Sequence, residues 1–253
     1  MNMSMVTGYK PKIEVLRDSE TLARRTVGVF VEDARKAVQK RNSFHVALSG
    51  GHTPKRFFEL LGEVPEAKAL PWDKVQLFWV DERCVPPDSE QSNYKLASDT
   101  FLSKVSIPNQ NVHRVQTEMD DCTAIARNYA RIIRETFGVA QNQCPTFDLI
   151  VLGMGEDGHT GSLFPNSYAP FDKDNLACAV YKLDDKLCRV TMTHPVLRAA
   201  RHLAVLVSGK EKAAILKDVL THEQDEVRYP IHTLWPILDR ITWLVDSNAA
   251  KLL

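Results

Sequence analysis

No stretch of this chain approaches the ~20 consecutive apolar residues that a membrane-spanning helix needs, and no surplus of either charge exists, since 32 Lys and Arg face 32 Asp and Glu. The first absence predicts no membrane insertion. The second predicts no broad binding to nucleic acid or to a membrane surface, both of which need a basic excess. The segment from Met1 to Lys10 lacks the apolar centre of a signal peptide. The expected location is therefore the cytoplasm, with residues 1–10 a flexible terminus. Cysteine is sparse and odd in number: Cys84, Cys122, Cys144, Cys178 and Cys188, with no Cys-x-x-Cys and no His-Glu-x-x-His. That spacing predicts neither a disulfide framework nor a structural zinc site. A Gly-Lys-Ser/Thr element is missing, which removes the Walker loop. Repeats, low-complexity tracts and clear linkers are also missing, so residues 1–253 are expected to form one domain. Nothing in the sequence sets the oligomeric state; a monomer is the expectation.

What is present is a series of short apolar runs. Lys12 to Leu16, Phe44 to Leu48, Val75 to Val80, Phe147 to Leu152, Leu203 to Val207 and Ile241 to Val245 read as buried strands. Between them, Ser19 to Gln39, Pro54 to Leu61, Asn93 to Leu102, Cys122 to Phe137 and Lys210 to Leu220 have helical spacing. Continuous apolar strands alternating with helices predict an α/β layered fold around a mainly parallel sheet.

Four polar clusters follow the ends of four of these strands. Ser49-Gly50-Gly51-His52-Thr53-Pro54 follows Leu48, and Asp81-Glu82-Arg83 follows Val80. Gly153-Met154-Gly155-Glu156-Asp157-Gly158-His159 follows Leu152, and Ser208-Gly209-Lys210-Glu211-Lys212 follows Val207. Open α/β sheets bind ligands in the crevice outside such ends. In the first cluster, Gly50 and Gly51 expose backbone N–H groups, Thr53 suits a helix N-cap and Pro54 the first helical position. That arrangement predicts an anion cradle. In the second, Arg83 is suited to clamp a phosphate or a developing oxyanion; the alternative is a solvated turn. In the third, a carboxylate and an imidazole share a glycine-rich loop, which points to proton transfer by His159 oriented by Asp157. Gly153-x-Gly155-x-x-Gly158 also matches a dinucleotide fingerprint. However, Pro165 and Asn166 follow too soon for a helix, and Asp172 and Asp174 lie in loop chemistry rather than at a strand end.

Taken jointly, several motifs resemble the 6-phosphogluconolactonase family. They are Ser49-Gly50-Gly51-x-Thr53-Pro54, Trp79-x-Asp81-Glu82-Arg83 with Ser92-Asn93-Tyr94, and Gly153 to Pro165. Arg189-Val190-Thr191-Met192-Thr193 and Ser208-Gly209-x-x-Lys212-Ala213 complete the set. The match runs in family order from about Lys12 to Ala250. The resemblance implies the glucosamine-6-phosphate isomerase-like fold, a modified Rossmann α/β/α sandwich. It implies hydrolysis of 6-phospho-D-glucono-1,5-lactone, with no metal or organic cofactor. Under it, His159, Asp157, Arg83 and Asp81 are the catalytic candidates. Ser49, Gly50, Gly51, Thr53, Arg83, Gly155 and Lys212 are the candidates for substrate and phosphate, with Lys210 the alternative to Lys212. One departure is Gly161, where the family usually has alanine. The related aminosugar-phosphate deaminases carry an acid after the histidine, whereas Ser162-Leu163-Phe164-Pro165 contains none. A sugar-phosphate isomerase or deaminase, and a non-catalytic sugar-phosphate sensor on the same fold, are the alternative readings.

Overall fold

The computed structural model describes residues 11–181 and 187–253. Met1 to Lys10, expected as a flexible terminus, lie outside the described residues. The chain runs β1 (Lys12–Leu16), α1 (Ser19–Arg41), β2 (Phe44–Leu48), α2 (His52–Leu61), α3 (Pro65–Lys68), β3 (Val75–Trp79) and β4 (Asp81–Arg83). It continues through α4 (Asn93–Thr100), β5 (Val112–His113), α5 (Cys122–Phe137), β6 (Leu149–Gly153), β7 (Ala177–Val180) and β8 (Arg189–Met192). It ends with α6 (His194–Ala199), β9 (Leu203–Val207), α7 (Ala213–Thr221) and β10 (Ile241–Asp246).

Seven strands form one sheet in the order β1-β10-β9-β6-β2-β3-β5, with every pairing parallel. Alternate side chains of these apolar strands enter opposite layers. In β6, Leu149 and Val151 join the core that holds Phe30, Phe57 and Trp72, whereas Ile150 and Leu152 join the one that holds Tyr129, Leu197 and Leu216. Burial on both faces is why these strands read as continuous hydrophobic runs. α1 and α2 cover one face; α5, α6 and α7 cover the other. The expected α/β/α sandwich is the observed fold.

Local chemistry sets the element ends. The Asp18 carboxylate accepts the Thr21 N–H at 2.8 Å and starts α1. Asn42, at φ 56°, closes that helix with its N–H on the Val38 carbonyl. Tyr129 of α5 holds the end of β3: its hydroxyl donates to the Trp79 carbonyl at 2.6 Å and accepts the Trp79 N–H at 3.0 Å.

β2 and β6 lie side by side at the centre of the sheet. From β2 the chain adds strands toward β5, and from β6 it adds them toward β1. This is the switch point at which an open α/β sheet leaves a crevice.

A second sheet of three antiparallel strands, in the order β4-β8-β7, stands beside the first. Sequence periodicity does not predict it, because its strands are only three or four residues long. Asp81-Glu82-Arg83, expected as a polar cluster beyond a strand end, is itself the strand β4, paired with Arg189 to Thr191 of β8. Three cysteines far apart in sequence meet beside this sheet. The sulfurs of Cys84, Cys122 and Cys188 lie within 4.8 Å of one another. They are 38 and 66 residues apart and belong to separate elements, so no local spacing signals them. No helix among the described residues is long and apolar enough to cross a membrane.

Candidate active site

A cavity of about 400 Å³ opens at the C-terminal ends of the central parallel strands. Ser49, Gly50, Gly51 and Thr53 line one part of it, and Asp81 and Arg83 a second. Gly155 and His159 line a third part, and Lys212 a fourth. Four clusters far apart in sequence thus meet, as their positions at strand ends predict. Of the site residues named from the sequence, Asp157 is not part of the lining, nor is Lys210, the alternative to Lys212.

Asp157 stands behind His159. Its Oδ1 lies 2.5 Å from His159 Nδ1 and also accepts the His159 backbone N–H at 3.1 Å. With Nδ1 engaged by the carboxylate, Nε2 is the ring nitrogen left for proton transfer. Burial alone would raise the Asp157 carboxyl, but the hydrogen bond and charge of His159 hold it down at about 2. Asp157 therefore stays ionised at neutral pH. Gly155 makes this arrangement possible: a Cβ at that position would sit 2.1 Å from His159 Nδ1. The glycine lets the imidazole lie directly over the loop backbone. Phe164 packs beside the ring, at 4.5 Å between centroids.

The cradle differs from its expected form in one respect. α2 begins at His52, not at Pro54, and Gly51 rather than Thr53 is the N-cap. Gly51 takes φ 109°, which turns the chain from β2 into the helix without a side-chain cap bond. Thr53 sits inside the first turn, where it still lines the cavity. Ser49 Oγ is buried and has no hydrogen-bond partner among the described residues. A buried orphan hydroxyl beside free helix N–H groups suits an anionic ligand. Gly50 is required by close approach, since a Cβ there would meet Asn93 Oδ1 at 2.0 Å.

The β4 strand resolves which of its three charged residues face the cavity. Strand periodicity puts Asp81 and Arg83 on one side and Glu82 on the other. Asp81 accepts a hydrogen bond from Ser162 Oγ at 2.8 Å. Arg83 is anchored by Nη1 donating to the Gln91 carbonyl at 2.6 Å, while its Nε is buried with no partner among the described residues. Glu82, 2% exposed, is a structural hub. Its carboxylate accepts the N–H groups of Arg83, Asn93 and Tyr94, each at 2.8 Å, and the Ser92 hydroxyl at 3.0 Å. Burial still pushes the Glu82 carboxyl above its ordinary value against those bonds. On the fourth side, Lys212 lines the cavity and Lys210 does not. Lys212 Nζ lies 3.8 Å from Glu156. Asp246 holds this loop by accepting from Ser208 Oγ at 2.6 Å and from the Gly209 N–H at 3.2 Å.

The model of the glucosamine-6-phosphate isomerase and 6-phosphogluconolactonase family matches residues 17–243. The chain belongs to this family. It is 36% identical to a 6-phosphogluconolactonase of Synechocystis sp., over 95% of this chain and 98% of the relative. It is 35% identical to that of Nostoc sp., over 95% and 97% respectively. Among solved structures, the 6-phosphogluconolactonase of Leishmania guyanensis superposes with a TM-score of 0.83 at 27% identity, covering 96% of this chain and 98% of that one.

Some residues that line the cavity escaped the sequence reading. Arg189, directly across the ladder from Arg83, also lines the cavity. It was visible only as the first residue of a motif, since nothing local marks β8 as a strand beside β4. Asn93 and Glu211 line the cavity too. Asn93 Nδ2 donates to the Asp81 carbonyl at 2.8 Å, a tertiary contact without a sequence signal.

Proposed function

We infer that this chain hydrolyses 6-phospho-D-glucono-1,5-lactone to 6-phospho-D-gluconate, the second step of the oxidative pentose phosphate pathway. One observation carries the reading: a carboxylate-oriented imidazole and an anion cradle open on the same cavity. The cavity volume suits one sugar phosphate, and the curated relatives cited above are 6-phosphogluconolactonases.

The lactone carbonyl is already electrophilic. His159 Nε2 takes a proton from water as the water oxygen attacks C1, and the carbonyl oxygen becomes an alkoxide. Arg83 and loop N–H groups stabilise that charge, or hold the phosphate. The intermediate collapses by breaking the bond from C1 to the ring oxygen, which takes the proton back from the imidazolium. Asp157 fixes the tautomer and stabilises the cation. Ser49, Gly50, Gly51, Thr53 and Lys212 hold the phosphate, so that its binding energy orients the reacting carbon. The sensor alternative has no use for such a base. An isomerase or deaminase needs an acid after the histidine, but Ser162-Leu163-Phe164-Pro165 contains none. Cytoplasmic location and a monomeric state belong to the same proposal.

The test supplies fresh 6-phosphogluconolactone and follows acid release above the spontaneous rate. A specificity constant far above that for unphosphorylated gluconolactone is expected. Equal constants for the two substrates would remove the phosphate cradle from the mechanism.

A further inference from the structure

Beside the cavity, the small sheet carries a second concentration of reactive side chains. Cys84 follows β4, Cys188 precedes β8, and Cys122 is the first residue of α5. The Cys84 N–H donates to the Cys188 carbonyl at 2.9 Å, which continues the β4–β8 ladder one step past Arg83 and Arg189. The Cα of Cys122 stands 6.4 Å from that of Cys84 and 6.5 Å from that of Cys188. Both separations fall within the roughly 4.4–6.8 Å that a disulfide spans. A sulfur forms only one disulfide, so Cys122 can join one neighbour at a time and leave the other as a thiol next to the bond. A closed structural metal site takes four ligands, and no His, Asp or Glu among the described residues joins these three sulfurs. Cys84 and Cys188 are partly exposed and open to small reagents. The remaining cysteines stand apart: Cys144 is a free surface thiol, and burial pushes the Cys178 thiol up to about 12.

We propose that Cys84, Cys122 and Cys188 form a thiol–disulfide redox site in which Cys122 bridges to either neighbour, and that closing the bridge alters turnover. The bridge ties the first turn of α5 to the ladder whose next step carries Arg83 and Arg189, both of which line the cavity. With hydrogen peroxide as oxidant, one thiolate attacks the O–O bond, giving a sulfenic acid and one hydroxide. A second thiolate attacks that sulfur, forms the S–S bond and expels a second hydroxide. Two thiols lose two electrons and two protons, and the peroxide becomes two waters. The third cysteine, as thiolate, can attack Cys122 Sγ, move the bridge and release the first partner without net electron transfer. A dithiol reductant reopens it. The coupling to turnover rests on the lactonase reading.

The test treats the reduced full chain with a small excess of hydrogen peroxide, quenched with catalase. Thiols are counted under denaturing conditions, peptides are mapped without reduction, and lactone turnover is measured. The five thiols of the chain should fall to three, with Cys84–Cys122 and Cys122–Cys188 linked peptides both recovered. Turnover should change at least twofold and return on treatment with dithiothreitol. Cys84→Ser and Cys188→Ser should each still close a bridge to Cys122, while Cys122→Ser should form none and lose its response to peroxide. Five persisting thiols, loss confined to Cys144 or Cys178, an intermolecular bridge, or a Cys84–Cys188 bridge in Cys122→Ser would each overturn the site. So would one tightly bound metal ion per purified chain by elemental analysis, which would make the cluster a metal centre. A bridge that forms with turnover held within twofold overturns the coupling. A reduced chain that fails to hydrolyse the lactone defeats the lactonase reading alone, because the thiol count and peptide map still decide the site.

Discussion

The parallel sheet contributes loops to the cavity, whereas the three-stranded sheet contributes a strand. From β2 and β6 come glycine-rich turns whose assets are backbone N–H groups, a buried serine hydroxyl and an imidazole laid over Gly155. From β4 comes an extended segment whose alternate side chains, Asp81 and Arg83, face the cavity, with Arg189 added from β8. The loops can follow a ligand closely because they are mostly backbone. The strands hold long charged side chains in place because a cross-strand ladder and the Glu82 hub fix their backbone. Under the proposed mechanism, the base His159 stands on a loop of the large sheet and the Arg83 guanidinium on a strand of the small one.

The sharpest break of this division is His159→Ala. Turnover should fall by ~10²–10⁴, the usual loss for a general base, while binding of a phosphorylated product analogue persists, because the cradle belongs to another loop. After correction for spontaneous lactone opening, a folded variant within about threefold of wild type would remove His159 as the base.

On the small sheet, Arg83→Lys should lower the specificity constant by about 10–100-fold, the range for losing a charge-assisted hydrogen bond, because an ammonium cannot reproduce two planar contacts. The melting temperature should hold. Near-normal kinetics would mean that Arg189 and Lys212 suffice as the positive charge of the cavity.

Glu82 tests whether the small sheet is rigid for a reason. Glu82→Ala strips acceptors from three backbone N–H groups and one hydroxyl, and should cost about 3 kcal/mol or more by urea unfolding. Glu82→Gln, which keeps one acceptor oxygen, should recover part of that. If turnover in Glu82→Gln equals wild type while stability drops, the hub supports the fold without tuning Arg83.

The smallest effect concerns acid stability and the large sheet. The Asp157 carboxyl is held at about 2 in the folded chain, below the roughly 3.9 of an unfolded one. A depressed carboxylate contributes stability that is present above the unfolded value and lost as pH falls toward the folded one. The difference in melting temperature between wild type and Asp157→Asn should therefore be constant above about pH 5 and shrink between about pH 4 and 2. Asp157 is partly exposed, so solvent screening keeps the effect small. A difference independent of pH would mean that the Asp157–His159 contact adds nothing to stability.

Much of this molecule is legible in its sequence. The six apolar runs became six strands of the parallel sheet; the inner ones are hydrophobic along nearly their whole length because they are buried on both faces, whereas β1 at the edge leaves Val15 exposed. Polar clusters at their ends could be assigned to one crevice because topology brings those ends together. That Asp157 and His159 share one glycine loop was readable; that the carboxylate touches the ring was decided by the folded loop.

What the sequence alone left open depended on partners distant in the chain. Asp81-Glu82-Arg83 has no periodicity long enough to mark a strand; only pairing with Arg189 to Thr191 makes it one. Which of the three charges faces the cavity followed from that pairing, and Glu82 became a hub only when α4 brought Asn93 and Tyr94 to it. Lys212 was separated from Lys210 by the path of a single helical turn. The meeting of Cys84, Cys122 and Cys188 is the extreme case. Hydrophobic patterning and turn chemistry are local and survive in a linear reading, whereas a contact between two short polar segments is decided only by the packing that carries them together.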